Sequence, residues 1–362
     1  MELVSHLDTI LVTGCGGLIG SEALSQFAKE GFRVVGVDND MRKDFFGQEA
    51  STRQNLQRIK KQVKNVTLIN QDLRDRHAVT NILRQVSPNL KAVIHCAAQP
   101  SHDFSANDPI LDFDTNARAT LFLLEAVRKH APESSFVFMS SNKVYGDRPN
   151  QIEFKEAALR WEPKDGERWA NGIDESMSID QSTHSVFGVS KSAADLMVQE
   201  YGRNFGLKTV CFRGGCLTGP RHAGVEMHGF LSYLVKCGVR NQPYRIFGYK
   251  GKQVRDNIHA YDVVTAIKSF INRPGVGKTY NLGGGPTSNC SILEAMKVIE
   301  SLTGKEFRFE IQPLARVGDH IWYVSDMRKF QLDYPEWRPS YSLDAIIDEM
   351  VQVEKLNFGS GD

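Results

Sequence analysis

The feature that most constrains this chain is a glycine-rich loop set between a short apolar run and a helical pattern. The apolar run Thr9–Val12 leads directly into the loop. Within the loop Gly14, Gly17 and Gly20 recur at every third position. Glycines permit a sharp turn and let backbone N–H groups approach a pyrophosphate, whose charge a helix N-terminus favours. The pattern therefore predicts a dinucleotide site at the first strand–helix junction of an α/β fold.

The end of the second apolar run indicates which dinucleotide is bound. This run ends at Val37, and Asp38 follows it, about twenty residues beyond the loop. A carboxylate at this place can bind the ribose hydroxyls of NAD and would repel the 2′-phosphate of NADP. Arg42 and Lys43 weaken this preference only slightly. We therefore predict NAD as the cofactor.

Apolar, β-branched runs alternate with helical patterns over the first part of the chain. Further predicted strands are Arg33–Val37, Val66–Asn70, Ala92–His95, Phe136–Met139 and Thr209–Phe212. The predicted helices are Gly17–Glu30, Asp75–Gln85, Asp112–His130 and His184–Phe205. This alternation predicts βαβ units and a Rossmann-type, doubly wound parallel sheet of the α/β class. The polar, basic segment Arg42–Lys64 lacks apolar periodicity and predicts a solvated connection that ends in a helix.

After Arg213 the alternation breaks. Gly214–Gly251 is rich in glycine, histidine and aromatic residues, and regular patterns return only beyond it. We predict a nucleotide-binding domain over residues 1–213, with residues 252–282 returning to it. Residues 214–362 would form mainly a smaller C-terminal substrate-binding domain that covers the carboxyl edge of the sheet.

Composition excludes several classes of protein. The 362 residues include 44 Lys and Arg against 43 Asp and Glu, a net charge of +1. This balance argues against nucleic-acid and anionic-membrane binding. No apolar stretch approaches the ~20 residues of a membrane helix, and the start of the chain has no basic, apolar leader pattern. Six cysteines without CxxC pairs and dispersed histidines predict a cytoplasmic enzyme with reduced thiols and no metal.

Further motifs follow the glycine loop in a fixed order. They are Asp72-Leu73, His95–Ala98, Asn116, Ser140–Gly146, Arg255–His259 with Asp262, and Tyr280–Gly284. Together they resemble the extended short-chain dehydrogenase/reductase family over most of the chain. The resemblance implies NAD, a nucleotide-sugar substrate, and a homodimer formed through the helices at 112–130 and 184–205.

The resemblance also implies roles for individual residues. The expected cofactor contacts are Gly14, Gly17, Leu18, Ile19, Gly20, Asp38, Asn39, Asp72, Leu73, Ala97, Ala98, Asn116 and Lys191. The expected substrate contacts are Asn142, His184, Arg255, Arg316 and Asp319. The expected catalytic positions are Ser141, Lys143, Phe187 and Lys191.

One pair of residues separates two branches of this family. Asn142–Asp147, with Gly172–Glu175 further on, is similar to the branch that epimerises CDP-linked hexoses at C2. The 4,6-dehydratase branch would carry Asp-Glu where this chain has Asn142-Lys143, and an amide with an ammonium cannot serve as the acid–base pair for dehydration. We therefore predict C2 epimerisation through a transient 2-keto sugar. The alternatives are a catalytically weak binding protein and a nucleotide-sugar dehydrogenase that releases NADH.

The chain departs from its family at Phe187. Relatives carry Tyr four residues before the lysine that corresponds to Lys191, and its phenol takes the proton of the sugar hydroxyl. A general base contributes about 10²–10⁴-fold to the rate, so its loss needs an explanation. We favour a relocated base at Lys143. Three other interpretations are open: binding without efficient chemistry, an introduced Tyr→Phe change, and an altered reaction such as net oxidation. The other candidates for a relocated base are Tyr145, His184 and Cys216.

Overall fold

A computed structural model describes residues 7–359, which contain fifteen β-strands and thirteen α-helices. The strands are β1 Thr9–Thr13, β2 Arg33–Val37, β3 Val66–Ile69, β4 Leu90–His95, β5 Ser135–Ser141, β6 Phe154–Glu156, β7 Trp161–Pro163, β8 Lys208–Gly214, β9 Cys216–Thr218, β10 Tyr244–Phe247, β11 Val254–His259, β12 Lys278–Leu282, β13 Asn289–Ser291, β14 Phe309–Gln312 and β15 Trp322–Tyr323. The helices are α1 Leu18–Lys29, α2 Arg42–Phe46, α3 Arg53–Gln62, α4 Arg76–Val86, α5 His102–Asn107, α6 Pro109–Phe113, α7 Ala119–His130, α8 Val186–Phe205, α9 Phe230–Arg240, α10 Ala260–Asn272, α11 Ile292–Thr303, α12 Arg328–Asp333 and α13 Leu343–Gly359. The first residues of the chain, on which the prediction of no leader partly rests, lie outside the described range.

Seven strands form one parallel sheet in the order β12-β8-β5-β4-β1-β2-β3. The order reverses at β1, because β2 lies on one side of it and β4 on the other. Ligands of open α/β sheets bind beyond the carboxyl ends of the strands at such a reversal. The predicted Rossmann-type fold is confirmed.

Helices cover both faces of this sheet, which explains why its central strands are apolar throughout rather than alternating. All five residues of β1 are buried. On one face α1 and α10 contribute Phe27 and Phe270 to the core, and on the other α4, α7 and α8 contribute Leu83, Leu123 and Val198. The helices on the two faces hold the carboxyl ends of β1, β2, β4 and β5 in fixed positions.

A second sheet lies in the C-terminal part of the chain. Its central strand β11 pairs with β13, β15 and β9, and α9, α11 and α13 share a separate apolar core with Ile346 and Ile299. Of the predicted returning segment 252–282, α10 packs on the large sheet and β12 is one of its strands. Strand β11 belongs to the second sheet. Met327, Phe330 and Trp337, predicted within the cap, also pack into the core of the large sheet.

Two local expectations differ from the structure. The helix predicted over 112–130 begins earlier, at Pro109, and contains a wider π-helical turn at Asp114–Arg118. The connection 42–64 ends in helix α3, as predicted. It is not simply solvated, because Arg42, Thr52 and Asn55 line a cleft at the carboxyl edge of the large sheet. Within the described residues, no helix combines the length and the apolar character needed to cross a bilayer.

Candidate active site

A cleft of about 500 Å³ opens at the carboxyl edge of the large sheet. Its other wall is the C-terminal layer, by which we mean the second sheet, helices α9, α11 and α13 and the loops that join them. It is lined by most of the residues predicted to act in the site, namely Gly14, Gly17, Leu18, Ile19, Gly20, Asp38, Asn39, Asp72, Leu73, Ala97, Ala98, Ser141, Asn142, Lys143, Phe187, Lys191, Arg255, Arg316 and Asp319. The fold thus brings together residues from widely separated stretches of the sequence.

Asn116 and His184 do not line the cleft. The Asn116 side chain accepts a hydrogen bond from the N–H of Gln99 at 2.8 Å and donates to Ser190 Oγ at 3.0 Å. The two ring nitrogens of His184 face the carbonyl oxygens of Ser182 and Val144, at 3.2 and 2.8 Å. Both residues therefore support loops around the cleft in this structure, and their expected roles as ligand contacts stay predictions.

The glycine loop forms one end of the cleft. Gly14 has φ +64°, and a Cβ there would lie 2.6 Å from the backbone nitrogen of Ala97. A Cβ on Gly20 would lie 2.2 Å from the carbonyl oxygen of Gly14. No side chain caps α1 at Gly17, which leaves the N–H groups of its first turn to a bound anion. Glycine is therefore required here by the close approach of three backbone segments.

Asp38 closes this end of the cleft from β2. Its carboxylate accepts hydrogen bonds from the N–H of Gly16 at 2.9 Å, the N–H of Asp40 at 2.8 Å and the hydroxyl of Thr52 at 3.1 Å. Burial raises the pKa of Asp38 above its usual value, while these hydrogen bonds oppose the rise. The carboxylate and the uncapped helix end match the ribose and the pyrophosphate of a dinucleotide.

Sequence reasoning missed two residues at this end. Asn55 Nδ2 donates to the carbonyl oxygens of both Gly16 and Arg221, at 2.9 and 3.1 Å. Thr52 touches Asp38 from the same segment. Asn55 thus links the glycine loop to the C-terminal layer. The surrounding polar segment carries no periodic pattern that could have indicated these contacts.

Ser141, Lys191 and Phe187 form the middle of the cleft. Ser141 ends β5, and its Oγ accepts a hydrogen bond from the N–H of Lys143 at 3.2 Å. Lys191 Nζ donates to the carbonyl oxygen of Met139 at 2.7 Å, and burial lowers its pKa to about 8. Phe187 lies one helical turn before Lys191 on α8 and is only 6% exposed. Ser141, Lys191 and Phe187 therefore share the middle of the cleft, and Phe187 carries no hydroxyl there.

Lys143 faces hydrogen-bond acceptors. Its Nζ donates to the carbonyl oxygen of Gly318 at 2.8 Å and lies 3.4 Å from Nδ1 of His320. Nε2 of His320 lies 2.8 Å from the carbonyl oxygen of Gly146, so it carries the proton and Nδ1 accepts. Burial lowers the pKa of Lys143 to about 8, which still leaves an ammonium at neutral pH. Lys143 is therefore placed as a donor.

Arginines occupy the far end of the cleft. Arg255 contacts the carboxylate of Asp319 and the carbonyl oxygen of His320. Burial favours the neutral acid, but Arg255 and Lys143 outweigh it and hold the pKa of Asp319 below its usual value. Arg316 stacks 4.1 Å from the ring centre of Phe247 and donates to the carbonyl oxygen of Glu226, and its buried Nε has no acceptor among the described residues. An anion with several oxygens can satisfy such a group.

This arrangement can be set against known proteins. A profile described as the NAD dependent epimerase/dehydratase family matches residues 10–283. The chain belongs to this family. CDP-paratose 2-epimerase of Salmonella typhi is 32% identical over 349 residues, which are 94% of this chain and 97% of that protein. The dTDP-glucose 4,6-dehydratase of Xanthomonas campestris pv. campestris is 26% identical over 360 residues, 95% of this chain and 92% of the relative.

A solved structure gives the same result for the fold. The UDP-glucose 4-epimerase of Thermus thermophilus, in complex with NAD, superimposes with a TM-score of 0.76 at 26% identity, covering 96% of this chain and 99% of that one. Membership of the epimerase/dehydratase family establishes the chain as an enzyme of that class with NAD as its cofactor. The glycine loop and Asp38 fit that cofactor.

Proposed function

We propose that this enzyme epimerises a nucleotide sugar, specifically a CDP-linked hexose at C2. One observation carries the proposal beyond the family. The carboxylates among the described lining residues are Asp38 and Asp72 at the cofactor end and Asp319, which is paired with Arg255. Beside Ser141 stand an amide and an ammonium, Asn142 and Lys143. Dehydration needs an acid and a base at the sugar, and this site supports redox epimerisation instead. The similarity to CDP-paratose 2-epimerase supports the choice of carbon and nucleotide.

The residues of the cleft would each have a separate role in this reaction. NAD, held by the glycine loop and Asp38, would supply a reversible acceptor for a hydride from the sugar. Ser141 hydrogen-bonds the sugar oxygen at which the carbonyl develops, and Lys191 holds the nicotinamide ribose. Lys143 adds a positive charge next to the same oxygen, which stabilises negative charge that develops there. Arg255 and Arg316 bind the diphosphate, which suits their planar, multidentate side chains.

We extend the proposal to domains, assembly and location. The large sheet, over residues 1–213 with α10 and β12, binds NAD, and residues 214–362 mainly cover the substrate. A homodimer forms through α6 to α8, where Ile110, Phe113, Val189 and Leu196 expose apolar side chains. The enzyme acts in the cytoplasm.

The test is a product assay over a panel of CDP-, UDP-, GDP- and dTDP-hexoses. We expect NMR to show a C2 epimer of a CDP-hexose, without net NADH and without uptake of deuterium from D₂O at C2, because the hydride returns from the cofactor. Accumulation of NADH would instead support the dehydrogenase alternative. Tight binding of the sugar without any product would support a binding protein. A product epimerised at C4 would still indicate a nucleotide-sugar epimerase but would overturn the assigned carbon. Turnover of a UDP-sugar instead of a CDP-sugar would overturn the assigned nucleotide.

A further inference from the structure

His102 is a titratable side chain whose ring contacts that of Phe187, the residue at the usual Tyr position. It begins α5, immediately after the loop that follows β4, and it lines the cleft. Its ring centre lies 5.0 Å from that of Phe187, with an angle of 74° between the rings. The main chain of Gly318 passes directly over it, since a Cβ on that glycine would lie 2.7 Å from Cε1 of His102. The imidazole therefore packs edge-on against the ring of Phe187, the residue at the usual Tyr position.

Hydrogen bonds fix α5 to the start of α8 at Ser185 and at the main chain of Phe187. Nδ1 of His102 lies 2.6 Å from Oγ of Ser185, which caps α8. Ser105 Oγ accepts from the N–H of Phe187 at 3.2 Å and donates to the carbonyl oxygen of His102 at 2.7 Å. These contacts hold the imidazole in a fixed orientation relative to the helix that carries Lys191.

The second ring nitrogen of His102 is available to a ligand. Within residues 7–359, Nδ1 is the ring nitrogen of His102 that hydrogen-bonds the protein. When Nδ1–H donates to Ser185, Nε2 carries the lone pair, and that lone pair is what a general base requires. A neutral histidine anchored through one nitrogen and open at the other is a usual arrangement for proton transfer.

The other candidates are engaged by other groups or remain protonated. Lys143 donates to acceptors, and both nitrogens of His184 face carbonyl oxygens away from the cleft. Tyr145 is fully buried between Asn281 and Arg213, which leaves its hydroxyl no path to a sugar. Burial raises the pKa of the Cys216 thiol to about 12, so it remains protonated.

We propose that Nε2 of His102 is the general base that replaces the missing phenol in the oxidative half of the reaction; this rests on the proposed epimerase function. The sugar O–H bond breaks and its proton moves to Nε2. The freed electron pair would form the carbonyl bond as the adjacent carbon gives up a hydride, for which NAD⁺ would be the acceptor. In the reductive half the proton returns from Nε2 to the oxygen and the hydride returns to carbon, so that His102 ends as it began.

The surroundings of His102 keep its imidazole unprotonated before the reaction. Burial, followed by the charge of Lys143, lowers the pKa of His102 to about 3 against the opposing effect of Asp319, so the imidazole is neutral at physiological pH. His228 and His320 also face it, and burial keeps both neutral because it lowers the pKa of each well below the usual value. When His102 takes a proton, Asp319 is the carboxylate that stabilises the imidazolium.

The test uses the full-length, NAD-loaded enzyme and its C2-epimerised CDP-hexose. His102→Asn keeps a donor to Ser185 and removes Nε2. We expect kcat to fall about 10²–10⁴-fold, while KM, bound NAD content and the circular dichroism spectrum stay close to those of the unsubstituted enzyme. His77→Asn, on the exposed first turn of α4, is the matched control and should change none of these.

A second substitution separates chemistry from structure. Phe187→Tyr added to His102→Asn places a phenol beside Lys191, and we expect it to recover much of the lost kcat, with a pH profile that now reports a phenol. If His102→Asn fails to retain NAD, His102→Gln takes its place in both arms. Unchanged kcat in the folded variants, or loss that Phe187→Tyr does not recover, would overturn the assignment of His102. Absence of any epimer from the unsubstituted enzyme would overturn the proposed function, and this assignment with it.

Discussion

Arg213 and Asp195 form a buried ion pair that joins β8 to α8, with 2.9 Å between Nη2 and Oδ1. Their side chains are 7% and 1% exposed. Asp195 also accepts from Ser140 Oγ at 2.6 Å, and Ser140 immediately precedes Ser141 at the end of β5. This pair therefore fixes the strand that carries Ser141 against the helix that carries Lys191.

Removal of Arg213 should destabilise the protein strongly. Arg213→Met leaves Asp195 as a buried carboxylate without its cation, and breaking such a pair costs about 3–5 kcal/mol. Urea denaturation followed by circular dichroism measures this loss. Lys208→Met is the matched control, because it breaks a pair with Glu133 that is 37% and 90% exposed and that contributes about 0–1 kcal/mol. Equal losses in both variants would contradict the prediction.

Gly20→Ala should lower both stability and NAD affinity, although alanine normally stabilises a helix interior relative to glycine by about 1 kcal/mol. The new Cβ would lie 2.2 Å from the carbonyl oxygen of Gly14, and such overpacking costs about 1–3 kcal/mol. Thermal unfolding and NAD titration measure the two effects. Gly359→Ala, where no atom lies within 4 Å of the added Cβ, should be neutral. A Gly20→Ala variant as stable as the parent would show that the loop can relax.

Asp38→Asn should weaken NAD binding. The carboxylate is the common acceptor for Gly16 and Thr52, and an amide offers one acceptor atom where the carboxylate offers two. Loss of one hydrogen bond to a charged group costs about 1.5–3 kcal/mol, which corresponds to roughly 10–150-fold in Kd. Fluorescence titration with NAD and with NADP measures the two Kd values, and the affinity for NADP relative to NAD should rise. Asp44→Asn, at an exposed residue of α2, serves as control, and an unchanged ratio would argue against Asp38 as the ribose ligand.

Stability should fall below about pH 6.5, partly through His95. Its ring lies between the hydroxyls of Thr13 and Thr120, at 2.6 and 2.9 Å, and burial followed by the charge of Lys191 lowers its pKa to about 3. The unfolded chain, with a histidine pKa of about 6.5, binds the proton first as pH falls. The contribution is therefore complete above about pH 6.5 and is lost toward pH 3, by about 1 kcal/mol between about pH 7 and about pH 5.5.

Urea midpoints at several pH values test this contribution. His95→Gln should unfold at lower urea but with a smaller pH slope, and His77→Gln, at an exposed residue, should keep the parent slope. A parental slope in His95→Gln would assign the acid sensitivity to other buried histidines, such as His222, whose pKa burial also lowers to about 3.

The sheet and the glycine loop could be predicted because their signals are local. Apolar runs, the spacing of Gly14, Gly17 and Gly20, and a carboxylate after β2 each lie within a few residues. The neighbourhood of Phe187 could not be predicted in this way. His102 reaches it from 85 positions earlier in the chain, and only the packing of α5 on α8 brings them together. The start of the helix predicted at His184 lies two residues later, because α8 begins at Val186 and His184 faces the carbonyl oxygen of Val144.

The two hydrogen bonds of Asn55 have a thermodynamic consequence. One amide group holds both the loop under the pyrophosphate and the chain at Arg221 in the C-terminal layer. The C-terminal layer therefore cannot move away from this edge without breaking a contact to the loop that holds the dinucleotide. Retention of the cofactor and closure of the C-terminal layer become linked equilibria, each favouring the other by the same free energy. Under the proposed epimerase function, such linkage would suit an enzyme that restores its own cofactor in every cycle and has no need to exchange it.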